Sequence, residues 1–138
     1  MRMFSAAFIL AAGLWLAPAQ AGEAEISAAQ STIAGQLQAF LADDGVGAYA
    51  FAAPSIKRMF PTVQSFMSMV ENGYAPVRRP RNYAFGKSEE RGDTVIQQVL
   101  LVGPDGKDYE AVYTVERQPD GTFRITGCSL RASNALST

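Results

Sequence analysis

Histidine is absent from all 138 residues of the chain, and this absence removes several kinds of chemistry. Without histidine there can be no Ser-His-Asp triad and no Cys-His nucleophile pair. The chain also lacks the side chain that most often serves as an acid or base near neutral pH. Zinc sites that use histidine or clustered cysteines are excluded in the same way. We therefore predict no catalytic triad, no metal and no cofactor.

Cysteine occurs once, at Cys128, so the chain cannot form an intramolecular disulfide. The thiol could be buried and inert, join two chains through a disulfide, or be reactive. Free cysteine is among the most buried residue types, so we expect Cys128 to be structural. Tryptophan also occurs once, at Trp15, within an apolar run near the N-terminus.

Residues 1–21 are typical of a secretory signal peptide. Arg2 supplies a positive charge, residues 6–18 form an apolar run, and residues 19–21 match an A-x-A cleavage site before Gly22. Cleavage two residues earlier is the alternative. A membrane-spanning helix needs about 20 apolar residues, which is longer than this run. We therefore expect export to the periplasm, with no stable membrane anchor after cleavage.

The remaining residues, 22–138, are long enough for a single domain with its own core. They carry 11 basic and 13 acidic side chains, which gives a net charge of about −2. Bulk charge therefore does not predict a nucleic-acid partner. The oligomeric state is left open.

The first half of this domain has helical periodicity. An apolar stripe runs along residues 23–42, whereas Gln36 is predicted to lie off it. Asp43 and Asp44 end this helix, and helix capping explains them better than a catalytic acid/base pair does. The stripe consists of Ile26, Ile33, Leu37, Phe40 and Leu41.

Shorter helices are predicted over residues 46–53 and 54–60, and then from an N-cap at Thr62 to Asn72-Gly73. Pro76 and Pro80 are expected to keep residues 77–81 extended, because proline disfavours the helical conformation of the residue before it.

The second half has the alternation of period 2 that is typical of strands. Strands are predicted to open at residues 83 and 123 and to cover residues 95–102 and 109–116, with Pro/Asp/Gly turns between the later ones. Gly127 disturbs the last alternation, and a bulge there would turn Cys128 toward the core. Helices followed by a strand meander predict an α+β fold, in which N-terminal helices pack on one face of a curved antiparallel sheet of about four strands.

Several segments together resemble the bacterial domain-of-unknown-function family 4864. The resemblance covers nearly the whole of residues 22–138, although Phe123 stands where a tryptophan is expected. It implies the α+β cone of the nuclear-transport-factor-2-like and cystatin-like folds, which ketosteroid isomerase and many small binding proteins share, and it implies no catalytic residues. The segments are residues 36–44, 50–54, 66–70, 73–77, 79–81, 116–121 and 125–128.

A basic segment and the tyrosines are the candidate ligand contacts. If residues 77–81 are extended, Arg79 and Arg81 share one side and could hold a carboxylate or phosphate, helped by Tyr74 or Tyr83. The alternative is that these arginines pair with acidic side chains, such as those of Asp43, Asp44 or Glu89, and only fasten helices to the sheet. Tyr49 and Tyr113 are further candidates for lining a pocket.

We predict an exported, non-enzymatic module that binds a small, partly apolar molecule between the helices and the sheet. One alternative is a protein–protein interaction module of the cell envelope. Another is a hydratase or isomerase that uses Asp and Tyr. A pocket with convergent Asp and Tyr would favour the enzyme, and an exposed apolar sheet face would favour the interaction module.

Overall fold

Five helices precede four strands in the computed structural model, which describes residues 18–133 and, for side chains, residues 22–133. The proposed signal peptide therefore lies almost entirely outside the described residues. The helices are α1 (Pro18–Leu41), α2 (Gly45–Ala50), α3 (Pro54–Met59), α4 (Val63–Gly73) and α5 (Ala75–Arg78). The strands are β1 (Asn82–Arg91), β2 (Thr94–Val102), β3 (Asp108–Arg117) and β4 (Phe123–Ala132).

The strands form one antiparallel sheet in the order β1-β2-β3-β4, so each strand pairs with its neighbour in the chain. Tight turns with glycine at positive φ connect them, at Gly92, Gly106 and Gly121. The α+β class, the four-stranded curved sheet and the packing of the helices on one of its faces are as predicted.

Helix α1 crosses the sheet and supplies much of the core. Its predicted stripe is buried at Ile33, Leu37 and Phe40, against sheet residues such as Val99 and Val115. Leu41 is predicted on the same stripe, but it is 37% exposed at the end of the helix. The helix ends at Leu41, and Asp43 in the turn that follows has a positive φ of 57°. Asp44 then caps α2, because its carboxylate accepts a hydrogen bond from the Gly47 amide at 2.9 Å. Capping is therefore the observed role of this aspartate.

The polar side of α1 differs from the prediction at Gln36. This residue is only 4% exposed, and its amide donates to the Ala48 carbonyl at 3.1 Å, so it ties α1 to α2. Gln36 lies three residues after Ile33 and four before Phe40, which is the spacing of one helix face. Spacing therefore places it on the buried stripe, and its hydrogen bond satisfies the buried amide.

The segment after α4 is not extended as predicted, since Ala75–Arg78 forms one turn of helix. Pro76 lies in the first turn, where a missing amide hydrogen costs no helical hydrogen bond. Pro80 has the expected effect only on its neighbour Arg79, which is outside the helix with φ −139° and ψ 62°.

Among residues 18–133, none of the helices combines the length and apolar character needed to cross a lipid bilayer.

Candidate functional site

A pocket of about 270 Å³ lies between the helices and the β4 side of the sheet. Most of its wall is apolar, and Met59, which is 68% exposed, is part of that wall. Among the described residues, no Asp, Glu, Lys or Arg side chain lines it. The apolar wall from α3, α4 and their connection consists of Ile56, Met59, Phe60, Phe66, Met69 and Val70.

Two short helices form this wall because local signals fix their ends. Pro54 occupies the first turn of α3, where proline is favoured. Thr62 and Ser65 form a reciprocal capping box at the start of α4, as the predicted N-cap at Thr62 requires. Phe66 and Val70 of α4 are then buried one turn apart, so this helix presents an apolar face to the pocket.

A β-bulge in β4 shapes the opposite wall. Thr114 pairs with Gly127 and Val115 pairs with Ile125, which leaves Thr126 as an extra residue between them. The bulge lies next to the predicted position at Gly127, and it brings residues 125–128 together along the pocket. A side chain at Gly127 would place its Cβ only 2.9 Å from Thr114 Oγ1, so a larger residue here would displace the Thr114 side chain.

Tyr113 is the most unusual polar residue of the pocket. It lies on β3, lines the pocket and is 1% exposed, yet its hydroxyl group has no oxygen or nitrogen partner among the described residues, and its polar neighbour is the weakly accepting Cys128 sulfur. Burial raises the pKa of Tyr113 well above its usual value, and the neighbouring Cys128 thiol and Tyr74 hydroxyl add to this rise. A buried hydroxyl without a partner costs free energy, so the site carries an unused hydrogen-bonding group.

Cys128 lies beside Tyr113 in the same wall. Burial raises the pKa of its thiol to about 12, and the Tyr113 hydroxyl opposes this shift only in part. The thiolate is the nucleophilic form, so Cys128 is not activated at neutral pH. The bulge gives Cys128 the core-facing position that we predicted, while its inertness toward thiol reagents stays a prediction.

Two other predicted tyrosines lie at or near the pocket and have hydrogen-bond partners. Tyr74 lines it and donates to the Cys128 carbonyl at 3.1 Å, which ties the end of α4 to β4. The Tyr49 ring packs edge-to-face against the Phe66 ring, with 5.3 Å between the ring centroids, and its hydroxyl donates to the Phe60 carbonyl at 2.5 Å. Tyr49 thus holds the residues of the wall in place.

Tyr83 lies elsewhere, on the edge strand β1. Its ring packs against Phe85 at 6.0 Å, and it borders a shallow depression with Tyr109. The structure does not bring Tyr83 together with Tyr113.

The basic segment makes structural contacts at the end of α1. Arg78, whose side chain is 11% exposed, donates to the Phe40 carbonyl at 2.5 Å and to Asp43 Oδ1 at 2.8 Å. Arg79 binds the same carboxylate and also donates to the Leu41 carbonyl at 3.3 Å. The Arg78 guanidinium holds the pKa of Asp43 below its usual value, and Arg79 adds to this effect. We call Asp43, Arg78 and Arg79 the Asp43 cluster.

The shared side predicted for Arg79 and Arg81 is therefore wrong. Arg79 acts with Arg78 on Asp43, whereas Arg81 donates to the Pro104 carbonyl at 2.8 Å in the β2–β3 turn. The reason is the helical turn of α5, which replaces the extended backbone on which the shared side depended. Of the alternative partners considered for these arginines, Asp43 is the one that the structure shows.

Sequence reasoning missed Gln36 and Thr126 as pocket residues. The signal that could have identified Gln36 is its spacing, three residues after Ile33 and four before Phe40, which places it on the buried face of α1. Thr126 carries no comparable signal, because its place follows from the extra residue in β4. The Thr126 hydroxyl lies 3.2 Å from the Thr114 carbonyl oxygen and 3.0 Å from Thr114 Oγ1, and it donates to both. Thr126 is therefore paired, in contrast to Tyr113.

Helices on one face of an open curved sheet, with a pocket between the two layers, define an NTF-2-like α+β protein. A solved structure with this architecture is an NTF-2-like protein of unknown function from Silicibacter pomeroyi DSS-3. It superposes with a TM-score of 0.59 at 16% identity, over 81% of this chain and 98% of that one, and it shows the fold alone. A search of curated proteins finds no match.

The family to which the chain belongs is shown by its sequence. Residues 22–138 match the model of the family described as domain of unknown function DUF4864, and the chain belongs to that family.

Proposed function

We propose that this protein is a non-enzymatic module that binds a small, largely apolar molecule in the pocket between its helices and sheet. The observation that carries the proposal is the pocket itself, which is apolar and contains no charged side chain among the described residues. Ligand sites are commonly concave and apolar, with a small number of polar groups that orient the ligand. Here those groups are the Tyr113 hydroxyl and the Tyr74 hydroxyl.

The enzyme alternative receives less support from this geometry. A hydratase or isomerase of the kind considered needs a carboxylate next to its tyrosine to move a proton. The acidic pair of the sequence lies at the end of α1, where Asp44 caps α2 and Asp43 binds two arginines. Neither aspartate lines the pocket.

The interaction-module alternative has one observation in its favour. The outer face of the sheet carries Leu100, which is 42% exposed, beside the half-buried Ile96 and Val112. An ion pair between Glu110 and Arg131, at 3.0 Å, lies on the same face. Charges beside a small apolar patch make this surface a weaker candidate than the pocket.

The neutral dye N-phenyl-1-naphthylamine tests the binding proposal. We expect its fluorescence to rise on binding to the protein purified from cells that express the full chain. Ile56→Phe adds bulk inside the pocket and should weaken dye binding at least fivefold. Leu100→Phe adds the same ring on the outer face of the sheet and serves as the matched control, with unchanged binding. Absence of any fluorescence rise, or equal loss in both variants, would show that the pocket is not a binding site.

We also propose that the module works in the periplasm. The support is the charge, the apolar run and the cleavage motif of residues 1–21. Fusion of residues 1–25 to a reporter that is active only outside the cytoplasm should give signal, and the secreted chain should begin at Gly22 or, as second choice, Gln20. Recovery of an uncleaved chain from the membrane fraction would contradict export.

A further inference from the structure

The Tyr113 hydroxyl defines what kind of ligand the pocket would take, provided that the pocket is the binding site proposed above. We propose that the pocket selects an uncharged molecule whose oxygen acceptor, such as a carbonyl or ether oxygen, receives the hydrogen bond that the Tyr113 hydroxyl makes to no oxygen or nitrogen atom of the described residues. The argument rests on the hydroxyl, on its neighbours, and on the charge and size of the pocket.

The hydroxyl is available because its neighbours are engaged elsewhere. Tyr74, which lies close to it, uses its own hydroxyl to donate to the Cys128 carbonyl. The Cys128 thiol is a weak donor and a weak acceptor. Thr126, the other hydroxyl of this wall, is bound to Thr114. Tyr113 is therefore the pocket hydroxyl that has no strong hydrogen-bond partner among the described residues.

The direction of the hydrogen bond follows from the protonation state. Burial raises the pKa of Tyr113, so the phenol keeps its proton throughout the neutral and mildly alkaline range. It can therefore always donate, and an oxygen acceptor is a stronger partner for a phenol O–H than the weakly accepting Cys128 sulfur is. The complementary ligand group is an acceptor.

The ligand should be neutral because the pocket has no counter-charge. The arginines nearest in sequence, Arg78 and Arg79, bind Asp43 and the carbonyls at the end of α1. Transfer of an unpaired carboxylate from water into an apolar site is strongly unfavourable. The same argument applies to an ammonium group, since no described carboxylate lines the pocket.

The volume limits the size of the ligand. An apolar cavity of about 150 Å³ accommodates benzene, and pockets for drug-sized molecules begin at about 300 Å³. The 270 Å³ pocket lies between these limits, which suits a molecule of up to three rings, such as the dye, or a short branched chain.

Access to the hydroxyl requires a small movement, because the hydroxyl is covered in this structure. Cys128 is the smaller of its two polar neighbours, and rotation about its Cα–Cβ bond moves the sulfur. Cys128→Ala removes that sulfur and should leave the hydroxyl easier to reach. The variant should therefore bind an acceptor ligand at least as tightly as the natural protein does.

Indane and 1-indanone separate this inference from the proposed function, because they share a bicyclic frame and differ by one carbonyl oxygen. Dissociation constants are measured by calorimetry for the natural protein, Tyr113→Phe and Cys128→Ala, each checked for an unchanged fold by circular dichroism. We expect Tyr113→Phe to weaken 1-indanone about tenfold, the effect of one neutral hydrogen bond in a buried site, and to change indane less than twofold. The infrared carbonyl stretch of bound 1-indanone should shift to higher frequency in Tyr113→Phe.

The outcomes distinguish the two claims. If neither compound nor the dye binds, the proposed function fails. If indane and the dye bind but Tyr113→Phe changes the dissociation constants of indane and 1-indanone by the same factor, the pocket is a binding site and the proposed role of Tyr113 is wrong. Tighter binding of indane-1-carboxylate than of 1-indanone would overturn the selection for uncharged ligands.

Discussion

The Asp43 cluster and the pocket differ in how their buried polar side chains are paired, although Arg78 Nε in the cluster also lacks a hydrogen bond. In the cluster, Arg78 and Arg79 share one carboxylate and also bind the last carbonyls of α1. In the pocket, Tyr113 is more deeply buried than either arginine and has no partner. Charged residues here connect the end of α1 to α5, whereas the buried hydroxyl is the group to which we assign ligand binding. The apparent anion site of the sequence is thus a structural feature, and the candidate site lies where the sequence shows few charges.

The largest effect should come from Arg78, since its removal breaks the Asp43 cluster. Arg78→Met deletes the donor to the Phe40 carbonyl and leaves Asp43 with one partner. Loss of a largely buried charged partner should lower the free energy of unfolding by about 2–4 kcal/mol. Urea denaturation measures this change. Arg58→Met, at an exposed position of α3, is the control and should be nearly neutral; equal effects of the two would mean that the cluster does not fasten the fold.

The second prediction concerns stability at alkaline pH. The pKa of Cys128 rises from its ordinary value of 9.0 to about 12 on folding. The unfolded chain therefore loses this proton first, and stability that is complete below pH 9 is lost as the pH rises toward 12. One such proton changes the free energy of unfolding by up to about 1.4 kcal/mol per pH unit.

The natural protein and Cys128→Ala should therefore diverge in their pH dependence by about 2 kcal/mol between pH 9 and pH 10.5. Urea midpoints at half-unit intervals give the two curves, and the buried Tyr113 affects both of them. Parallel curves would indicate that the thiol is not desolvated. Rapid reaction of native Cys128 with a thiol reagent would indicate the same.

The third prediction concerns the effect of the Tyr113 hydroxyl on stability, compared with that of the hydrogen-bonded Tyr74 hydroxyl. Tyr113→Phe removes a buried hydroxyl that has no partner, so it should raise the free energy of unfolding by about 1 kcal/mol while it weakens binding of an acceptor ligand. Tyr74→Phe is the matched control, because it removes a hydroxyl that is bound to Cys128, and it should lower stability. A fall in stability for Tyr113→Phe would mean that the hydroxyl has a partner inside the protein.

The smallest effect on stability is expected from Arg79 and Arg81, the two arginines that the sequence predicted to hold a carboxylate or phosphate. Double replacement of Arg79 and Arg81 by Gln removes exposed contacts to Asp43 and Pro104. Exposed ion pairs contribute little, so the melting temperature should change by no more than about 2 °C, and dye binding should not change. Loss of dye binding would restore these arginines to the binding site.

The features that the sequence predicted well are those with a local cause. The stripe of α1, the cap at Thr62 and the bulge beside Gly127 each depend on residues within a few positions of one another. The error at residues 77–81 is also local, because the rule for the residue before a proline was applied to Pro76 as well as Pro80. Only Pro80 lies outside the first turn of a helix.

The character of the pocket could not be predicted in this way. Tyr113 is a predicted contact, but the lack of a strong partner for its hydroxyl depends on Tyr74 and Cys128, which lie beside it from other elements. Likewise, the pairing of Arg78 with Asp43 joins two ends of helices that are far apart in the chain. Spacing along the sequence identifies which residues are buried, and only their arrangement in space identifies which remain unpaired.

The backbone pairing between the α2–α3 connection and β4 protects the molecule in two ways, because it covers part of an edge strand and closes part of the pocket. Ile125 donates to the Phe51 carbonyl at 2.9 Å, and Ala53 donates to the Ile125 carbonyl at 2.8 Å. This short parallel bridge shields part of an edge strand, which would otherwise offer its backbone to another chain. Ala52 and Ile125 are also part of the pocket wall. Detachment of this connection would therefore open the cavity and expose a template for self-association in the same event, so a tightly bound guest would also protect the protein against aggregation.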